Sequence, residues 1–153
     1  MREVRINLDD AMPLIREKLS LGEEVLFSPN GTSMLPTLRA GVDTVVLALP
    51  RGRLRKYDIA LYRRKNGQYV LHRVVKSKEK YTFTGDNQFY NEKNIEEDQI
   101  IALCVAYIRD GKRVSLISSG ARMKARVRLL LRPIRRLASG SLLRLRRILR
   151  KKK

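Results

Sequence analysis

Three side chains in this chain could serve as a nucleophile, a base and an orienting acid. Ser33 lies in Asn30-Gly31-Thr32-Ser33-Met34-Leu35-Pro36-Thr37, a polar turn set between two apolar runs. Gly31 admits backbone dihedrals closed to other residues. Pro36 fixes its own φ and pushes Leu35 away from helix. The Ser33 hydroxyl therefore sits on a stiffened loop. His72 is the one histidine, in Tyr69-Val70-Leu71-His72-Arg73-Val74-Val75. In a strand, Val70, His72 and Val74 share one face, and Leu71, Arg73 and Val75 share the other. An imidazole among valines is partly desolvated, which lowers its pKa and keeps it neutral, as a general base must be. Asp86 stands in the turn-like Thr84-Gly85-Asp86-Asn87.

Each of the three has a plainer reading. Ser33 could simply form a turn, His72 could bond a core carbonyl, and Asp86 could cap backbone N–H groups. Together they are the parts of a catalytic set. A serine hydroxyl is a poor nucleophile until a base takes its proton; imidazole can do so, and a carboxylate fixes its tautomer and steadies the imidazolium.

The elements that must position them read as mainly β. Val4, Ile6 and Leu8 alternate with polar residues, as in a short strand. Asp9 is an N-cap for a helix to about Leu19, with Met12, Ile15 and Leu19 on one side, and Gly22 stops it. Val25-Leu26-Phe27, Thr44–Leu49, Tyr57–Arg63, Gln68–Lys76, Tyr81–Thr84, Gln99–Arg109 and Val114–Ile117 read as strands. Asn66-Gly67 and Asp110-Gly111 mark hairpin turns. Asn91–Asp98, polar and acidic, reads as a loop. Short strands with frequent turns imply a β-sandwich or barrel over residues 1–118. Cys104, alone of its kind, excludes an intramolecular disulfide and a Cys-rich metal centre, and its apolar run Ile100–Ala106 implies a buried thiol.

Charge divides the chain differently. The net charge is +19, and all 15 acidic residues precede residue 111. Residues 121–153 hold 14 of the 34 Lys/Arg and no acid, so residues 1–120 carry only +5. Residues 119–153 therefore form a separate basic tail. Met123, Val127, Leu130, Ile134 and Leu137 form one stripe at helical spacing, Pro133 kinks or restarts the helix, Ser139-Gly140 interrupts it, and Leu142, Leu145 and Leu149 make a second stripe. Arg126, Arg128, Arg132, Arg135, Arg136, Arg144, Arg146 and Arg147 accompany the stripes. Such a tail suits an anionic membrane surface, with leucines dipped in and arginines on headgroups. Nucleic acid is the weaker alternative, because no aromatic residue follows Tyr107 to stack on bases. A helix packed on the domain with a solvated basic face is the third reading.

Gly31-Thr32-Ser33-Met34-Leu35-Pro36-Thr37-Leu38, Tyr57-Asp58-Ile59-Ala60, Val70-Leu71-His72-Arg73-Val74-Val75 and Thr84-Gly85-Asp86-Asn87 resemble, in order, the sequence boxes of the type I signal peptidase family. The likeness covers about residues 25–106 and leaves out the tail. It implies a mostly β catalytic domain and peptide-bond hydrolysis after small residues; independently, a single histidine and no phosphate-loop glycine pattern leave a metal or nucleotide cofactor without support. Ser33 would attack the scissile carbonyl. His72 would take the place of the lysine base of the bacterial branch, as in the endoplasmic-reticulum and archaeal branch. Asp86 would orient His72 or pair with Arg73. The Ser33 N–H, with Gly31, Thr32, Met34 and Asn87 around it, would support the oxyanion. The chain departs from the family in three ways. Gly31 stands where many bacterial members have a second serine. Gln88-Phe89-Tyr90-Asn91-Glu92 stands where histidine-type members often have a further aspartate. No run of 18 apolar residues supplies a membrane anchor.

The expectation is thus a serine endopeptidase acting on a signal- or leader-type segment of a peptide or precursor protein. It would be cytoplasmic and peripheral on the inner face of the membrane. A self-cleaving repressor of the SOS type would need a DNA-binding segment and an Ala-Gly or Cys-Gly cleavage site, which the roughly 30 residues before Ser33 lack. The other alternative is a non-catalytic module binding membrane or nucleic acid on a peptidase-like fold.

Overall fold

The computed structural model describes residues 8–136. Of the expected first strand only Leu8 is among them, and it opens a helix; Leu137, Arg144, Arg146, Arg147 and the second leucine stripe also lie outside the described residues.

Helix α1 runs Leu8–Ser20 and buries Met12, Ile15 and Leu19. Asp9 sits in its first turn, inside the helix rather than at the N-cap position expected for it. Gly22, at φ +80°, closes the helix: its N–H donates to Leu19 O and the Glu23 N–H to Lys18 O, the paired bonds of a Schellman cap.

The strands are β1 Val25–Phe27, β2 Thr44–Ala48, β3 Ile59–Arg63, β4 Tyr69–Ser77, β5 Tyr81–Thr84, β6 Glu92–Ile95, β7 Ile100–Arg109 and β8 Lys112–Ser115. All pairings are antiparallel, in the order β1-β2-β7-β3-β4-β5-β6, with β8 added beside β7. The strands thus form one continuous eight-stranded antiparallel sheet. The expected loop 91–98 holds β6 and part of a 3-10 turn, Glu97–Gln99. Its polar sequence hid the strand because β6 is an edge strand, and three of its four residues are not buried.

Alternation along β3 divides the core between the two faces. Ile59 and Leu61 join α1, Val45, Leu47, Ile101 and Cys104 on one face. Ala60 and Tyr62 join Val74, Tyr81, Phe83 and Ile95 on the other. Cys104 is fully buried, and desolvation pushes its thiol up to about 12, so it is inert packing.

Helix α2, Ser119–Leu130, starts where the Ser118 hydroxyl caps the Ala121 N–H. Leu131 ends it, and helical structure resumes at 132–136, with Pro133 in the first turn where a missing N–H costs nothing. No helix among the described residues is long and apolar enough to cross a membrane.

One buried ion pair anchors the long connection between β1 and β2. Arg109 Nε and Nη2 each donate to Asp43 at 2.6 Å, Nη2 also reaches Thr37 O at 3.3 Å, and the Arg39 N–H donates to Asp43 at 2.7 Å. The Asp43 side chain is fully buried, while Arg109 keeps 20% of its side chain exposed. Asp43→Asn should cost on the order of 2–3 kcal/mol in urea denaturation, below the ~3–5 typical of a wholly buried pair, because Arg109 can turn to water.

Candidate active site

The Ser33 loop is held from both ends and from beneath. Met34 and Leu38 are buried in the core under α1. The Asn87 N–H donates to Ser33 O at 2.8 Å, and Asn87 Nδ2 donates to Thr32 O at 3.3 Å. The Thr37 hydroxyl donates to Asp86 Oδ2. The Leu35–Pro36 bond is cis. Gly31, at φ +93°, occupies a conformation that a side chain would strain. The Gly85-Asp86-Asn87 turn approaches so closely that a Cβ at Gly85 would lie 2.6 Å from Ser33 O. The two segments expected to carry nucleophile and acid are therefore locked together by their backbones.

Asp86 does not touch His72 by any hydrogen bond among the described residues. Arg73 Nε and Nη2 donate to its two oxygens, each at 2.7 Å, and both side chains are almost wholly buried. Arg73 Nη1 also donates to Tyr57 O at 2.8 Å. Of the two expected partners for Asp86, the structure selects Arg73. The reason is strand alternation: His72 and Arg73 are neighbours on β4 and project from opposite faces. The Asp86–Arg73 pair braces the turn to which the Ser33 loop is bonded.

The groups that face His72 are Glu92 and Tyr62. His72 is 1% exposed and pairs across the sheet with Ala60. Its Nδ1 lies 3.3 Å from Glu92 Oε1 and 3.3 Å from the Tyr62 hydroxyl. The Tyr62 hydroxyl donates to Glu92 Oε2 at 2.9 Å, and Arg64 holds both Glu92 oxygens, Nε donating at 2.8 Å. Burial first, then the Glu92 charge, hold the Tyr62 pKa above its usual value, so the phenol stays protonated and donates. Burial raises the Glu92 pKa, but Arg64 and Tyr62 outweigh it and hold the carboxyl below its usual range. An ionised carboxylate only accepts, so the facing Nδ1 must carry the imidazole proton. That tautomer leaves Nε2 with a free lone pair. Burial lowers the His72 pKa to about 4 against the opposing pull of Glu92, so the ring is neutral at pH 7.

Glu92 was legible in sequence only as a polar residue after the Gly-Asp-Asn turn. Tyr62 gave a weak signal, lying on β3 one alternate position from Ala60, the residue opposite His72.

Ser33 lines a cavity with the β4 residues that precede His72, but not with His72 itself. No hydrogen bond joins the Ser33 hydroxyl to His72 among the described residues. A cavity of about 120 Å³ is walled on one side by Pro29, Gly31, Ser33 and Met34, and on the other by Tyr69, Val70 and Leu71. Of the support residues expected around Ser33, Met34 is core, Thr32 serves through its carbonyl, and the Asn87 N–H is consumed by Ser33 O. The Ser33 N–H has no acceptor among the described residues.

The tail helix reaches this site. Arg122 donates to Asp58 at 2.7 Å, Arg132 to the carbonyls of Gln88 and Tyr90 and to Asn91 Oδ1, and Arg135 to Asp86 O at 3.2 Å. Arg128 Nε lies 4.0 Å from Asp86. Of the arginines expected on a membrane surface, Arg128, Arg132 and Arg135 thus hold the 86–91 loop instead; Arg126 and Arg136 are exposed. Among the described residues no cluster of His, Cys, Asp and Glu could hold a metal.

Two measurements probe this arrangement. Between pH 4 and 6.5 the unfolded chain binds a proton at residue 72 that the folded chain refuses, so stability rises with pH across that window. The rise should be about 3 kcal/mol, and His72→Gln should flatten it in chemical denaturation. Glu92, with its lowered pKa, adds to this at the acid end, where stability falls further as pH drops under the ordinary carboxylate value of 4.5. Gly85→Ala should cost roughly 1–3 kcal/mol in thermal unfolding, because the nearest obstacle to its Cβ is backbone.

No protein-family model matches the chain, and neither a curated protein nor a solved structure matches it.

Proposed function

We propose that the protein is a serine endopeptidase of the signal-peptidase type, with Ser33 as nucleophile and His72 as general base. The observation that carries this reading is the state of His72: buried, neutral, and held through Nδ1 by Glu92 and Tyr62 so that Nε2 keeps its lone pair. A packing histidine needs no ionised carboxylate and protonated phenol arranged around one ring nitrogen.

The reaction follows from those roles. The Ser33 hydroxyl oxygen bonds to the scissile carbonyl carbon, and its proton passes to His72 Nε2. The imidazolium is steadied by Glu92. The Ser33 N–H, with no acceptor among the described residues, is available to the oxyanion. His72 returns the proton to the leaving amine as the C–N bond breaks, and water, deprotonated by the same nitrogen, releases the acyl group. No hydrogen bond joins Ser33 Oγ to His72 among the described residues, so this reading requires substrate binding to bring them together.

Two features favour an extended peptide as substrate. β5 pairs with β4 only from Arg73 onward, so the outer edge of Tyr69–His72 has no strand partner among the described residues. A peptide strand can add there by main-chain bonds. The cavity of about 120 Å³ beside Ser33 suits a small apolar side chain before the cut. The alternative, a non-catalytic binding module on this fold, predicts an inert Ser33.

Incubation of the purified protein with a β-lactone, which acylates activated serines, followed by intact mass, separates the two. Ser33→Ala should abolish the adduct. His72→Ala should slow it by about 10²–10⁴-fold. Glu92→Gln should slow it at least tenfold while circular dichroism stays native. The rate should fall with acid only as pH approaches about 4, where His72 protonates. A wild-type protein without adduct would sink the catalytic reading, and an undiminished rate in Glu92→Gln would return the orienting role to another group.

A further inference from the structure

The amphipathic helix of the tail is turned inside out. Ala125 is buried against the domain, and Arg122, Arg128, Arg132 and Arg135 reach inward to Asp58 and the 86–91 loop. The outward face carries Met123, Val127, Leu130, Leu131 and Ile134, which are 46–66% exposed. Lys124 and Arg126 flank this stripe and are exposed too. A contiguous apolar stripe left in water by a helix whose charges are spent on docking calls for an occupant.

We infer that the outward face of 119–136 is an interfacial membrane anchor for anionic bilayers, with Met123, Val127, Leu130 and Ile134 entering the headgroup–acyl boundary. The charge pattern selects this occupant. Nothing acidic follows Asp110, so the helix carries no acid of its own, and its exposed Lys124 and Arg126 border the stripe. A second copy of the chain would bring a net charge of +19 against the same face. Residues 137–153 would bring seven Lys/Arg and no acid. Both would bury the apolar residues at the cost of unrelieved repulsion. An anionic bilayer supplies an apolar interior and negative headgroups at the depth where Lys124 and Arg126 stand. Nucleic acid would satisfy the cations and leave the stripe wet. An open apolar groove lined by Pro36, Met123, Val127 and Leu131 adjoins the stripe, so the bilayer-bound face also carries the far end of the Ser33 loop. This inference stands whether or not Ser33 is reactive.

The chain contains no tryptophan, so Leu130→Trp in the full-length protein gives a single reporter at an exposed position. With vesicles of phosphatidylcholine containing one third phosphatidylglycerol, its emission should shift to the blue and be quenched by brominated acyl chains. Pure phosphatidylcholine should bind at least tenfold more weakly. The triple change Met123→Ser, Val127→Ser and Leu130→Ser keeps every charge and alters only exposed side chains. It should lower cosedimentation with the anionic vesicles at least tenfold with native circular dichroism. Equal sedimentation of wild type and triple variant, or no emission shift with vesicles, would overturn the inference. So would a reporter already blue-shifted without lipid, which would mean that the chain or a second copy covers the stripe.

Discussion

The pair between Arg73 and Asp86 is the contact on which the rest of the site depends. Two buried charges meet through two bonds of 2.7 Å, and each also holds backbone or hydroxyl groups of other segments. Arg73 ties down Tyr57 O, whose residue sits at φ 82° beside the start of β3. Asp86 takes the Thr37 hydroxyl at the end of the Ser33 loop. A charge in such a place is tolerable only with its partner, because the interior leaves a lone ion unsolvated. The pair therefore acts as a register pin: β4, the Gly-Asp-Asn turn and the Ser33 loop are held in one arrangement.

The two faces of β4 separate two kinds of electrostatics. On one, Arg73 and Asp86 neutralise each other. On the other, Glu92 is shared by Arg64, Tyr62 and His72, and burial decides that the imidazole is the group left uncharged. Two carboxylates close to one histidine thus take different tasks because of which face each one reaches. The same burial that keeps His72 neutral leaves it sensitive to any loss of the Glu92–Tyr62 support.

Helix α2 contributes to this arrangement from outside the sheet. Its arginines bind the carbonyls of Asp86 and Gln88 and share that of Tyr90 with the Thr84 hydroxyl. Spending the cations inward leaves the apolar stripe outward. Docking and the exposed stripe are two consequences of one choice of helix rotation.

The sequence by itself determined most of the local elements and singled out Ser33, His72 and Asp86. Periodicity located α1, hairpin dipeptides located the β3–β4 and β7–β8 turns, and the stiffened loop, the single histidine and the Gly-Asp-Asn turn were visible because each rests on neighbours within a few residues. Tertiary structure alone decided which partners they meet. Alternation along β4 was readable, but it could not say which carboxylate waits on either face. Glu92 is 20 residues from His72 and reaches it only because β6 pairs with β5, a pairing its polar sequence did not announce. The tail's stripe was equally plain in the helical spacing. Its direction was not, because a helix flanked by arginines can dock by either face, and only the folded chain shows the charged face bonded to carbonyls of the 86–91 loop.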